Sequence, residues 1–439
     1  MRWEQQVRYA VRSDVGFRRQ MNQDTAAVEV CTDEATWRRR GHLLLVADGM
    51  GGHAAGELAS KIAAETLPHT FYKSSDEEIT LALRSAIEAA NEAIHERGSA
   101  SRDFERMGTT CSALVLSLEG AVLGHVGDSR VYRIRDGYIH QLTFDHSLQW
   151  ELLRKGEMKP EDIFLHEPRH VITRSLGPEP VVKVDVEGPY PVWGGDRYVI
   201  CSDGLTGHVE DSEIGMIVAE LPPTDASRLL VNLANLRGGS DNITVVVVEV
   251  GDVPAGLEEN RAVEEPVEEG ITGLELAGFW AASIMFMVGT VYLLFRRWVP
   301  GAIWATMAAL SVGAIIAWIR WRQPKREEHP EFAETTLWRP YRAAKASFSR
   351  KLLNQLVAIE SELHRTAIDE GWTLDEAKLD TALAAAKESL ARQDHSVVLR
   401  EIAIALDVLM KAVQQHRKQL KHEARWGRDS DTPSKPPEK

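Results

Sequence analysis

Apolar positions along this chain fall into distinct regimes. Up to about residue 250 they form short, β-like runs: Leu43-Leu44-Leu45-Val46-Ala47, Ala121-Val122-Leu123, Tyr198-Val199-Ile200-Cys201 and Ile243-Thr244-Val245-Val246-Val247-Val248. Their length and β-branched content predict strands. Two amphipathic helices are predicted among them, one near 54–67 and one near 76–97. The second carries Ile79, Leu83, Ile87, Ala90 and Ile94 on one stripe. Residues 1–250 therefore read as a compact globular domain.

The pattern changes abruptly after Val250. Residues 251–270 hold seven acidic side chains against the single Arg261, too little apolar surface to fold, so they are read as a solvated linker. Residues 274–295 and 298–319 are then almost wholly apolar, separated by Arg296-Arg297 and followed at the turn by Pro300-Gly301. Each run is close to the length that crosses a bilayer, which predicts a two-span transmembrane hairpin over 271–322. The larger cationic cluster, Arg320, Arg322, Lys325 and Arg326, lies outside the loop. That bias predicts a multi-pass protein of the cell membrane with both flanking parts in the cytoplasm. Residues 323–428 read as a small helical bundle. Thr373 and Glu376 stand at capping-box spacing, and Val398, Ile402, Leu406, Leu409 and Val413 share one face. The proline-rich, charged residues 429–439 read as a disordered tail.

The net charge of −14 argues against a nucleic-acid partner, whose binding depends on neutralising phosphates with Lys and Arg. Three scattered cysteines, Cys31, Cys111 and Cys201, form no paired motif and are read as free thiols in a reducing compartment. No Cys-x5-Arg loop or Ser/His/Asp series is present, which disfavours covalent catalysis.

The chemistry concentrates where strands begin and end. Asp48-Gly49-Met50-Gly51-Gly52-His53, Gly127-Asp128-Ser129-Arg130 and Ser202-Asp203-Gly204 each follow a β-like run, and Asp241-Asn242 precedes one. Neighbouring antiparallel strands can gather such ends at one rim of a sheet. A carboxylate-rich, thiol-free rim suits hard divalent cations such as Mn²⁺ or Mg²⁺.

These motifs occur in an ordered series. Ser13-Asp14-Val15-Gly16-Phe17-Arg18-Arg19 leads to Asn22-Gln23-Asp24. Asp48 to His53, Gly56-Glu57, Gly108-Thr109-Thr110, Gly127 to Arg130, Asp145-His146-Ser147, Ile172 to Gly177, Ser202 to Leu205 and Asp241 to Thr244 follow. In that series the first 250 residues resemble the metal-dependent serine/threonine protein phosphatases of the protein phosphatase 2C family, in its bacterial form. The resemblance implies an α+β fold, an antiparallel β-sandwich flanked by helices. It implies two Mn²⁺ or Mg²⁺ ions: Asp48 bridging them, the Gly49 carbonyl completing the first site, Asp203 and Asp241 holding the second. Asp128, with Asp203, would hold a third and weaker ion. Asp24 would order water, and Arg19 would grip the substrate phosphate. Met50 stands where animal members carry a histidine proposed as general acid, and a thioether cannot donate that proton. His53 is read as structural.

The function implied is hydrolysis of phosphoserine and phosphothreonine on proteins by water that two metal ions activate, without a covalent intermediate. Phosphorylated proteins are the implied partners. A cognate serine/threonine kinase is a candidate partner for the bundle, which could otherwise self-associate. The competing readings are a catalytically inactive phosphoprotein sensor or membrane scaffold of the same fold, and a metal-dependent hydrolase of small phosphorylated molecules. The charged segment at 148–155 and 160–164 is read as a flap beside the site.

Overall fold

Each of the long apolar runs is buried on both of its faces, which explains why no polar residue alternates through it. In β3 (His42–Met50) Leu44 and Val46 point inward to a core shared with the facing sheet, while Leu43 and Leu45 point outward under a layer of helices. In β11 (Ile243–Val250) Val246 and Val248 take the inner side, and Val245 and Val247 the outer. Complete burial of each such side chain is worth about 1.5–3 kcal/mol. A sandwich of two covered sheets is the result.

The computed structural model describes residues 7–52, 54–157, 171–251, 341–392 and 394–426. All of them belong to one compact unit made of Met1–Glu259 and Trp338–Lys439. The first sheet has the order β1 (Val7–Asp14), β11, β10 (Arg197–Cys201), β7 (Arg130–Arg135), β8 (Tyr138–Gln141), β12 (Arg342–Lys345). The second runs β2 (Asp24–Glu29), β3, β5 (Cys111–Ser117), β6 (Gly120–Val126), β9 (Asp185–Tyr190), with β4 (Gly108–Thr109) paired to the end of β3. All pairings are antiparallel. The sandwich expected from the resemblance is present.

Helices α2 (Ala54–Lys73) and α3 (Ile79–Ser99) cover the second sheet. A helix was expected near 54–67, stopping just short of Pro68, a residue that removes a helical hydrogen bond. The helix instead continues, because burial of Leu67, Pro68 and Phe71 together outweighs the lost hydrogen bond. The short α1 (Glu34–Arg40) is capped by Asp33, and α4 (Leu148–Arg154) forms the first part of the predicted flap. Residues 160–164 lie outside the described residues.

The first sheet is covered by α6 (Asp211–Glu220) and α7 (Pro223–Leu236), and then by C-terminal helices α8 (Arg350–Asp369) and α10 (His395–Trp426). Leu352, Leu356, Val398, Ile402 and Leu406 share one buried cluster with Val199, Val245 and Leu230. The predicted apolar face of the last helix thus packs onto the sandwich. Between these helices lies α9 (Glu376–Ala391), whose N-cap is Asp375, accepting from the Lys378 amide, not Thr373. Ahead of them, Arg342–Lys345 forms β12 where a helical pattern had been read.

The expected multi-pass membrane placement is corrected. Among the described residues no helix is long and apolar enough to cross a membrane. The longest described helix, α10, carries Arg400, Glu401, Asp407 and Lys411, a charge load a bilayer interior does not accept. The predicted hairpin over 271–322, the linker and the tail lie outside the described residues. Cys111 and Cys201 are buried free thiols, and Cys31 is half-buried and free.

Candidate metal centre

Register brings the first two carboxylates together. Asp24, the first residue of β2, pairs directly with Asp48 near the end of β3. Like charges in direct cross-strand positions repel. Burial, followed by the charges of Asp203 and Asp241, pushes the Asp24 carboxyl up to about 7, against a hydrogen bond from Ser202 Oγ to its Oδ2 at 2.8 Å. Burial, and then Asp24, Asp203, Asp128 and Asp241, push Asp48 well above the ordinary carboxylate range. Asp128 is raised by burial and then by Asp203. Five carboxylates from five separate chain segments therefore feel one another at one rim.

The backbone there is tightly fixed. Asp48 N–H donates to Thr110 Oγ1 at 2.9 Å, and its carbonyl accepts from Thr110 N–H at 2.9 Å and from Thr109 Oγ1 at 2.9 Å. Gly49 N–H donates to the Gln23 carbonyl at 3.1 Å. A Cβ at Gly49 would lie 2.1 Å from the Gly56 carbonyl oxygen and 2.5 Å from that of Gln23, so only glycine fits. Asp128 sits in the β6–β7 turn. Gly127 there has φ +114°, and its N–H donates to His146 Nδ1 at 3.0 Å while its carbonyl accepts from His146 N–H at 2.7 Å. With Nδ1 accepting, His146 Nε2–H donates to Asp185 Oδ2 at 2.9 Å. Behind the turn, Arg130 makes a bidentate pair with Asp145, 2.7 Å at its shortest.

Asp203 opens the short helix α5 (Asp203–Thr206), and Asp241 stands two residues before β11. Arg19 lies in the loop between β1 and β2. Its Nη2 reaches Asp241 Oδ2 at 2.8 Å, and its side chain is 48% exposed. That bond first, and then Asp48 and Asp203, hold its guanidinium more firmly charged. The half-exposed fork projects where an anion can meet it.

Four residues within the motifs had been given no role. Asn242 accepts from Gln23 N–H at 2.8 Å and donates to the Val15 and Met21 carbonyls, both at 2.9 Å, stitching together the loop that carries Arg19. Ser202, Thr110 and His146 hold Asp24, Asp48 and the Asp128 turn as described above. For Asn242, Ser202 and His146 the signal in the sequence was adjacency to an acidic residue, whereas Thr110 stands beside none and was marked only by the Gly108-Thr109-Thr110 motif. Met50 pairs with Gly108 on β4 and brings no proton donor to the rim; His53 lies outside the described residues.

Among the described residues, no three His, Cys, Asp or Glu side chains already stand in a metal-holding geometry; Asp241 is turned to Arg19 and Asp24 to Ser202. The donor set nevertheless fits hard cations. It is all oxygen, its carboxylates raise one another's proton affinity, and Asp24 Oδ1 and Asp128 Oδ1 are buried with no hydrogen-bond partner. Divalent cations neutralise that kind of strain.

Comparison with known proteins agrees with this chemistry. Residues 19–223 match the family model described as protein phosphatase 2C. The chain is 36% identical over 247 residues to the protein phosphatase PhpP of Streptococcus pneumoniae, covering 55% of this chain and 97% of that protein. It is 36% identical over 252 residues to the serine/threonine protein phosphatase PstP of Mycobacterium tuberculosis, covering 57% of this chain and 46% of PstP. The solved serine/threonine phosphatase of S. agalactiae is similar at 34% identity and a TM-score of 0.50, over 56% of this chain and 99% of that one.

Proposed function

The chain belongs to the protein phosphatase 2C family, and from that premise we propose that it hydrolyses phosphoserine and phosphothreonine on proteins with the help of two divalent cations. The observation that carries the reading is the mutual electrostatic coupling of five buried or rim-facing aspartates beside one half-exposed arginine. Mn²⁺ or Mg²⁺, when bound, supplies acidified water and neutralises phosphoryl charge.

The chain's own residues divide the remaining tasks. Asp48, whose carboxyl is raised by burial and then by Asp24, Asp203, Asp128 and Asp241 alike, would serve both ions, together with the Gly49 carbonyl. Asp203 and Asp241 would hold the second ion, and Asp128 with Asp203 a third. Asp24, fixed by Ser202, is positioned to accept a proton and orient water. Arg19 exchanges its bond to Asp241 for the phosphate of the substrate, which also frees that carboxylate for a cation. Its planar fork suits two phosphate oxygens at once. Protonation of the departing serine or threonine oxygen falls to water, since Met50 cannot provide it.

The test is turnover of a phosphothreonine peptide by the full chain with Mn²⁺, with EDTA, and with Asp203→Asn. Turnover that requires metal and is lost in the variant supports the phosphatase. A folded, metal-loaded chain without turnover would instead identify a phosphoprotein sensor, and preference for a nucleotide over the peptide would identify a small-molecule hydrolase.

A further inference from the structure

The loop that presents Arg19 is held from two sides. On one, Phe17 N–H and Arg18 N–H both donate to the Gly239 carbonyl, at 2.7 and 3.1 Å. On the other stands the C-terminal helix α10. Arg417 Nη2 donates to the Phe17 carbonyl at 2.8 Å, and its guanidinium lies over the Phe17 ring at 4.1 Å from the centroid. One turn earlier, Gln414 Nε2 donates to Asp14 Oδ2 at 3.4 Å. The other Asp14 oxygen accepts from Gly16 N–H at 2.8 Å and from Asn235 at 3.1 Å. Asp14 and Phe17 are the two ends of the turn that launches Arg19. The family match ends at residue 223, so α10 reaches this loop from outside it.

We propose that α10 positions the phosphate-gripping arginine, with Arg417 and Gln414 as positioning residues that hold the 14–17 turn so that Arg19 meets the substrate phosphate. The proposal rests on the phosphatase reading above. A loop tethered at both ends spends less of its binding energy on being ordered when substrate arrives. The C-terminal helices then contribute to substrate affinity without touching substrate.

The experiment compares full-length wild type, Arg417→Ala, Arg417→Lys, Gln414→Ala, Arg19→Ala and Arg19→Ala/Arg417→Ala. Mn²⁺-dependent turnover of a phosphothreonine peptide is read together with amide hydrogen exchange. Arg417→Ala should raise KM about fivefold, the size of one lost hydrogen bond, with kcat within about twofold of wild type. Arg417→Lys should recover part of the loss, since an ammonium can still meet the carbonyl and the ring. In the Arg19→Ala background, Arg417→Ala should change KM no further, because the residue acts through Arg19. Exchange at the Phe17 and Arg18 amides should quicken in Arg417→Ala and in Gln414→Ala, a readout that needs no turnover. Additive effects of the two substitutions, or unchanged protection of those amides, would overturn the proposal. Absence of turnover in wild type would overturn the phosphatase reading, while the exchange result would still decide the clamp.

Discussion

Replacing Gly49 by alanine tests the geometry of the rim most sharply. The added Cβ would meet the Gly56 and Gln23 carbonyl oxygens at 2.1 and 2.5 Å, where ordinary contact begins near 3.4 Å. Both obstacles are backbone, one in α2 and one in the loop residue just before β2, so neither can swing aside as a side chain would. The carbonyl of residue 49 must shift by about 1 Å, whereas ligand distances to such cations tolerate about 0.2 Å. Overpacking of this kind costs about 1–3 kcal/mol. Gly52→Ala is the matched control, because nothing lies within 4 Å of its added Cβ. Mn²⁺ titration by calorimetry and by activity should show at least about tenfold weaker binding for Gly49→Ala, given that displacement, and wild-type behaviour for Gly52→Ala. Thermal melting should fall only in the first. The reasoning fails if Gly49→Ala binds Mn²⁺ and melts as wild type does, or if the control is equally impaired.

Other outcomes follow from the packing. Leu406→Ala removes a fully buried side chain from the cluster shared by α10 and the first sheet and should cost about 2–5 kcal/mol. Calorimetry should show one transition moving to lower temperature; a separate minor transition moving alone would show that α10 is not cooperative with the sandwich. Asn242→Ala removes three hydrogen bonds from the Arg19 loop, which should cost about 2–4 kcal/mol, and should raise KM for phosphopeptide more than it lowers kcat. His125 is buried, and burial followed by the neighbouring His146 lowers its imidazole to about 3. The unfolded chain takes up that proton near pH 6.5 while the folded one does not. Stability from this group is therefore complete above about pH 6.5 and declines as pH falls toward 3, by up to about 1.4 kcal/mol per unit. The raised carboxylates of Asp24, Asp48 and Asp128 slope the opposite way over this range, so the His125 contribution is read as a difference: between pH 4 and 6 the urea-unfolding slope of His125→Gln should differ from that of wild type by about one proton.

The strands and the acidic rim were legible because continuous apolar runs ended in aspartates, and both signals are local. The direct pairing of Asp24 with Asp48 was not, since register depends on which residues of two distant runs face each other. β12 was illegible for another reason: Arg342-Ala343-Ala344-Lys345 is made of poor strand formers, and only the exposed edge of β8 gives it that form. The apolar stripe of α10 was visible, but periodicity does not say what a stripe packs against. The helix expected near 54–67 runs on to Lys73 because burial of Leu67, Pro68 and Phe71 outweighs the hydrogen bond that Pro68 removes.

The pairing of β8 with β12 spans roughly two hundred residues, from Tyr138 to Lys345. On a ribosome adding about 5–20 residues per second, β8 is finished some 10–40 seconds before its partner is made. During that interval the nascent sandwich carries a bare strand edge, and the side of α7 that α10 will cover is still open to solvent. Such an edge is a template for pairing with another chain. The order of synthesis thus sets a period in which a holding chaperone, or a slow rate of initiation that keeps neighbouring nascent chains apart, matters most to the yield of folded protein.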